Sequence, residues 1–191
     1  MYSEINTDQL GQAGEYVLSD VELVSFQAAD GQRPKRISIR SLVSEVNVYE
    51  ALDQKNLSGT VILTDAQNVI GHLPLTGFER IEFKLFTGHP MFIYKIADRT
   101  GVSPRTQMYK LHFCSPEMIV NEQVKVERAF TNTYDNNVIS VFRNELRSKK
   151  TIIVEETKGI RKYTSPKIRP FEAIDEFSKN AESKVFNNAG M

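Results

Sequence analysis

The sequence predicts a mainly β, α+β protein in which an antiparallel β-barrel precedes a helical segment. Three observations carry that expectation. From Glu15 to about Pro116, short β-type runs alternate with Gly, Pro, Asn and Asp, the punctuation of a strand-and-turn fold. Several of those runs place apolar residues at every second position, which is the side-chain period of a strand with one buried face. Beyond Val126 the apolar spacing lengthens to that of a helix.

Residues 1–14, with Gly11, Gly14 and small polar neighbours, have no sustained period and are expected to form a flexible arm that orders on contact. The runs VELVSF, RISIRSLVSEVNVYEAL and SGTVILTD follow as strands. The long one is expected to bend or break near Ser44, where its apolar period changes. Ile81, Phe83 and Leu85, then Phe92, Tyr94 and Ile96, then Tyr109, Leu111 and Phe113 each line one face. Glu82, Lys84, Lys95, Lys110 and His112 take the other. TGHP between the first two runs is short enough for a hairpin, and DRTGVSPRTQ reads as a longer basic loop, Arg99–Gln107. Six or seven strands suffice to close a small barrel, here assigned to residues 15–125.

In the remainder, Val138, Phe142 and Leu146 recur at i, i+4 and i+8 after Asp135, whose carboxylate is placed to cap the helix start. TIIVEET reads as a short β-type run. Pro166 and Pro170 mark a loop, and Phe171, Ile174, Phe177, Ala181 and Val185 trace a second helical stripe. Pro170 suits its first turn, where a missing N–H costs nothing. Residues 126–191 are therefore expected to open a second domain. Asn187, Asn188 and Gly190 normally introduce another turn or strand, so the chain is expected to be truncated and this domain incomplete.

Lys plus Arg and Asp plus Glu both total 24, giving zero formal charge. No global field draws in nucleic acid or an anionic membrane. The basic clusters Arg33, Lys35, Arg36, Arg40 and Lys158, Arg161, Lys162, Lys167, Arg169 lack the interleaved aromatics of a single-strand platform. Direct nucleic-acid binding is not expected. No stretch approaches the roughly 20 apolar residues that span a bilayer, and the N-terminus lacks the order of a secretory signal. Synthesis in the cytoplasm and no membrane partner are expected. The lone cysteine, Cys114, lies in an apolar run and reads as a buried thiol.

Catalytic constellations are missing from the pattern. His72, His89 and His112 are far apart with no metal-ligand spacing around them. Glu155, Glu156 and Asp98 are the only carboxylates considered as an acid/base pair, and surface ion pairing explains them more simply. Neither a phosphate loop nor a nucleophile elbow occurs. No catalytic, cofactor-binding or metal residue is assigned, no cofactor is implied, and an enzyme is not expected.

The order of segments carries a resemblance. ISIRSLVSEVNVYEALDQKNLSGTVILTDAQNVIGHLPLTGFERIEFKLF, then FIYKIADR, then QMYKLHFCSPEMIVNE, then KTIIVEETKGIRKYTSPKIRPFEAIDEFSKNAES together resemble the baseplate hub protein of T-even-like contractile-tailed phages, in its marine and cyanophage form. The similarity covers most of the chain, by order and phrase rather than by any invariant catalytic motif. It implies that 15–125 is a tube-type barrel and that 126–191 begins the second portion of the hub. It implies a homotrimer forming a pseudo-sixfold ring that joins the hexameric tail tube to the trimeric central spike, in the virion. Lys84, Lys95 and Lys110 would then line a lumen or an outer face, and the loop 99–107 and arm 1–14 would meet neighbouring subunits. The competing expectation is a small β-barrel module that binds a ligand or oligosaccharide. Against it, the 7 Tyr and 11 Phe fall mostly at predicted core positions.

Overall fold

A computed structural model describes residues 18, 20–26, 33–51, 54–73, 77, 79–83 and 90–186. The expected arm 1–14, Lys84, Leu85, most of the TGHP turn with His89, and the terminal residues from Asn187 on lie outside the described residues. The chain divides into two compact units. One comprises residues 1–50 and 57–114, the other 51–56 and 115–191. The division falls at Cys114/Ser115, ahead of the 125/126 boundary expected from the sequence.

The first unit is a seven-stranded antiparallel sheet. Its strands are β1 Val21–Val24, β2 Arg36–Ser38, β3 Val43–Tyr49, β4 Ser58–Asp65, β5 Arg80–Phe83, β6 Met91–Ser103 and β7 Thr106–Cys114. They lie in the order β2-β1-β5-β6-β7-β4-β3. A short helix, α1 Val69–His72, follows β4. The β-branched and aromatic residues that alternate along the sequence supply the core: Leu23, Val61, Leu63, Ile81, Tyr109, Leu111 and Phe113 are almost wholly buried on one face.

Connectivity forces this sheet to curl. β2 and β3 are its two edges, yet only the 3₁₀ turn Arg40–Leu42 and its neighbour Ile39 join them. From Ser38 to Val43 the chain reaches at most about 19 Å, whereas the edges of a flat seven-stranded sheet stand about 29 Å apart. Curling brings the edges toward each other and folds the apolar face around Ile39 and Leu42, both buried. The expected closed barrel is not formed. Among the described residues β2 and β3 share no ladder, because β2 is three residues long and the turn redirects the chain at once.

Two local irregularities interrupt the period-two pattern, the first where the sequence predicts a break, near Ser44, and the second unforeseen. The long run RISIRSLVSEVNVYEAL breaks at the 3₁₀ turn, and the register of β3 on β4 shifts between Val43 and Glu45, leaving Ser44 as the bulged residue. In β6 the register slips between Ile93 and Lys95. An extra residue in a ladder swaps the faces beyond it. The core therefore takes Met91 and Ile93, with Ile96 beyond the bulge half-buried against it, and Tyr94 is 44% exposed. The face expected for Phe92, Tyr94 and Ile96 is thus not continuous.

The second unit contains three helices and a two-stranded sheet, and two of the helices and the sheet pack around an aromatic centre. α2 Pro116–Gln123 starts after Ser115, with Pro116 in the first turn. β8 Ala129–Asn132 pairs antiparallel with β9 Arg161–Thr164; neither strand was expected from the sequence. α3 Tyr134–Ser140 continues into a π-helical turn, Val141–Glu145. α4 Pro170–Asn180 carries Pro170 in its first turn, as expected, and Glu172 reaches back to the Arg169 N–H. Phe177 is the hub of this core, in edge contact with Phe130 and Tyr163 at 5.0 and 5.3 Å between ring centres.

Here too the helical stripes are shifted. The π turn moves burial from the expected Val138, Phe142, Leu146 to Val138, Val141 and Leu146, because one extra residue per turn rotates the face. Phe142 is left half-buried. On α4 the buried set is Pro170, Ala173 and Phe177, with Ala181 buried at the C-cap, while Val185 lies past the helix end and is exposed. Asp135 sits inside the N-cap residue Thr133 and is turned mainly toward Thr157, whose hydroxyl donates to it at 2.6 Å.

Candidate assembly surfaces

In the first unit the expected basic loop 99–107 is a β-hairpin arm. β6 and β7 run on to a two-residue turn at Pro104–Arg105, with Ser103 opposite Thr106. Asp98 has a positive φ of 54° at a second register shift, between Ala97 and Thr100, and twists the arm there. Everything from Asp98 to Arg105 is exposed, including Val102 at 60%. Arg99 Nε donates to Gln107 Oε1 across the arm at 2.7 Å. The ladder to β5 ends where the Ile93 N–H meets the Glu79 carbonyl. Beyond it the outer edge of β6, like those of β2 and β3, has no ladder partner among the described residues.

The sheet face opposite the core carries Tyr49, Tyr94, His112, Lys95 and Lys110. Tyr94 and His112 rings are 6.0 Å apart. Burial and the adjacent Lys95 and Lys110 hold the His112 pKa below its ordinary value, so this imidazole is neutral at pH 7. Lys110 pairs with Asp98 at 2.9 Å; that contact lowers the carboxyl pKa and raises the ammonium's. On the core side, the Tyr109 hydroxyl donates to the buried Asp65 carboxylate at 3.0 Å. Asp65 also accepts from the Gln67 and Val69 amides, fixing the turn into α1. Burial, then Asp65, push the Tyr109 pKa upward. This acid is fully engaged in holding the fold.

The carboxylates considered as acid/base groups are not brought together. Glu155 accepts from the Ser183 hydroxyl, Glu156 pairs with Lys184 at 2.7 Å, and Asp98 belongs to the other unit. Three members of the basic clusters are ion-paired: Arg36 bridges Glu22 and Glu82 at 2.7 and 2.9 Å, Lys167 meets Glu127 and Arg169 meets Glu122. Cys114 is buried. His72 ends α1 and is exposed, with its carbonyl taken by Lys35. Among the described residues no group of three His, Cys, Asp or Glu is placed to hold a metal ion, and no helix is long and apolar enough to cross a membrane.

The second unit contains an apolar groove of about 310 Å³ lined by Val138, Phe142, Ile152, Ile153, Val154, Phe171 and Ile174, with Lys55 and Glu155 at its rim. One wall is residues 152–155, within the expected strand TIIVEET at residues 151–157. That run is bridged only at its end, Thr157 to Ser183, with the Lys184 N–H donating to the Glu156 carbonyl; among the described residues the backbone of Thr151–Glu155 makes no hydrogen bond. Ile152 and Val154 are half-buried against the aromatic core, while Ile153 between them is 95% exposed. The alternating apolar sequence made the run visible; that it lacks a partner within the chain could not be read from it. No family model matches the sequence, and no curated protein matches it.

Proposed function

We propose that the chain is a structural subunit of a contractile-tail baseplate hub, building a trimeric pseudo-sixfold ring between the hexameric tail tube and the trimeric central spike. The observation that carries this reading is the curled, unclosed sheet with open edges at β2, β3 and the β6 arm. An isolated protein normally covers or blunts such edges, and an assembling subunit uses them. In this reading the sheet is the wall of a tube-type barrel completed within the ring, and the exposed arm 98–107 reaches the neighbouring subunit. The segment-order resemblance supplies the specific role. The protein would be made in the host cytoplasm and function in the virion, with no catalytic step.

Light scattering over a wide concentration range, with electron microscopy of the same sample, tests the proposal. A trimer giving ring-shaped threefold views supports it. A chain that stays monomeric, or that associates without threefold views, overturns it. The competing ligand-binding module draws on one observation, the half-exposed Tyr49 and Tyr94 on the outer sheet face. Saturable quenching of tyrosine fluorescence by an oligosaccharide, lost in Tyr94→Ala, would favour that module instead.

A further inference from the structure

The sequence Lys149-Lys150-Thr151-Ile152-Ile153-Val154-Glu155-Glu156 is basic at one end, apolar in the middle and acidic at the other. Read antiparallel against itself, it matches opposite charges at both ends. A two-fold axis through an antiparallel ladder sets a residue opposite its own copy, since directly paired side chains must share a face. Centring the axis on Ile153 puts Ile153 against Ile153, Ile152 against Val154, and Lys150 against Glu156 twice. Burial over residues 151–154 follows the same alternation, with Ile152 and Val154 toward the core and Thr151 and Ile153 outward; it stops at Glu155, which is half-buried, and Glu156, which is exposed. The unbonded backbone of Thr151–Glu155 then gains the ladder it lacks.

We propose that residues 150–156 are a self-complementary docking strand that pairs antiparallel with the same strand of a second copy of this chain, Ile153 opposite Ile153. This accounts for the most exposed large apolar side chain among the described residues, Ile153, which gains a cross-strand apolar partner. The charges are available. Glu156 is held only by the exposed Lys184, a weak surface pair. Lys150 bonds Glu117 at 2.7 Å and has two further N–H donors to offer. The proposal does not rest on the hub reading, because it uses a two-fold contact in the second unit.

Cysteine crosslinking of the full chain tests it. Opposed residues in an antiparallel pair have Cα atoms about 4.5–5.5 Å apart, within disulfide range. The single native thiol is buried. Mild oxidation of Ile153→Cys is expected to give a covalent dimer, while Ile160→Cys, 72% exposed elsewhere on the unit, stays uncrosslinked. Thr151→Cys and Glu155→Cys should crosslink to each other when mixed, and each poorly to itself. Ile153→Lys, which sets two ammoniums face to face, should raise the dimer dissociation constant at least about tenfold; its exposure keeps folding out of the comparison, and circular dichroism checks that. Absence of an Ile153→Cys dimer, equal crosslinking at 153 and 160, or an unchanged dissociation constant for Ile153→Lys each overturns the proposal, whatever becomes of a threefold ring.

Discussion

Replacing Glu117 by Gln removes a charge from the second unit and leaves the side-chain shape almost intact. Glu117 is 4% exposed on α2. Its carboxylate accepts from the Ser148 hydroxyl at 2.6 Å and from the Lys150 ammonium at 2.7 Å. Burial pushes its pKa up, but Lys150, Ser148 and its own amide outweigh that, and the pKa settles below the ordinary 4.5. Gln keeps the hydroxyl contact and loses the charge on Lys150. A hydrogen bond between charged groups contributes about 1.5–3 kcal/mol; Lys150 is 31% exposed, so solvent screening brings the expected loss to about 1–2 kcal/mol. The pH dependence fixes the cause. A carboxyl with a depressed folded pKa adds stability that is fully present above its unfolded pKa and fades as pH falls through the folded value. Urea unfolding followed by circular dichroism should therefore show the gap between Glu117→Gln and the parent at about pH 7 and see it close toward about pH 3. A gap under about 0.5 kcal/mol at neutral pH, or one that does not change with pH, would refute the reasoning.

Three further outcomes are expected. Gly59→Ala puts a Cβ into the Asn47 carbonyl and the Phe113 ring, and should cost about 1–3 kcal/mol by overpacking the first unit, read as a lower thermal midpoint. Phe177→Ala empties the aromatic centre of the second unit, and should cost about 3–5 kcal/mol in a urea titration. Asp98→Asn breaks an ion pair with Lys110 whose carboxylate side is exposed while keeping a residue type that tolerates a positive φ, so the thermal midpoint should hardly move; a clear drop would show that the pair matters.

Strand positions in the first unit were legible because one face of each strand is apolar: SGTVILTD is β4 to the residue, and Tyr109, Leu111 and Phe113 line the core as their spacing predicts. Bulges were legible only where the apolar period itself changes, as at Ser44. Nothing in Phe92-Ile93-Tyr94-Lys95 announces the extra residue that turns Tyr94 outward, since the ladder partner that defines it comes from β7. The arm 98–107 reads as a loop in the sequence for a related reason. Asp, Gly, Ser and Pro look like loop residues, and only pairing across Arg99 and Gln107 makes them a hairpin. In the second unit β8 and β9 escaped notice because Arg161, Lys162 and Thr164 are exposed and leave only Tyr163 to mark a buried side. Conversely TIIVEET has the composition of a strand, yet among the described residues it pairs only at its end, where Thr157 bridges Ser183. Composition fixes what a segment can pair with, and topology decides whether that partner is in the same chain.

The unpaired surfaces of the two units differ in symmetry. A ring built from the curled sheets must be heterologous, one edge of a subunit meeting a different edge of the next, so that rotation closes it. The strand 150–156 is isologous, and its charge pattern is satisfied only by its own copy turned through a two-fold axis. One contact cannot serve both, so the two associations are separable by mutation. If both operate, the full chain assembles as a hexamer, Ile153→Lys reduces it to a trimer, and substitutions on the β6 arm reduce it to a dimer. If only the strand pairs, Ile153→Lys yields a monomer at once. With equal totals of acidic and basic residues, neither association depends on overall charge, and salt should weaken only the contact in which Lys150 meets Glu156.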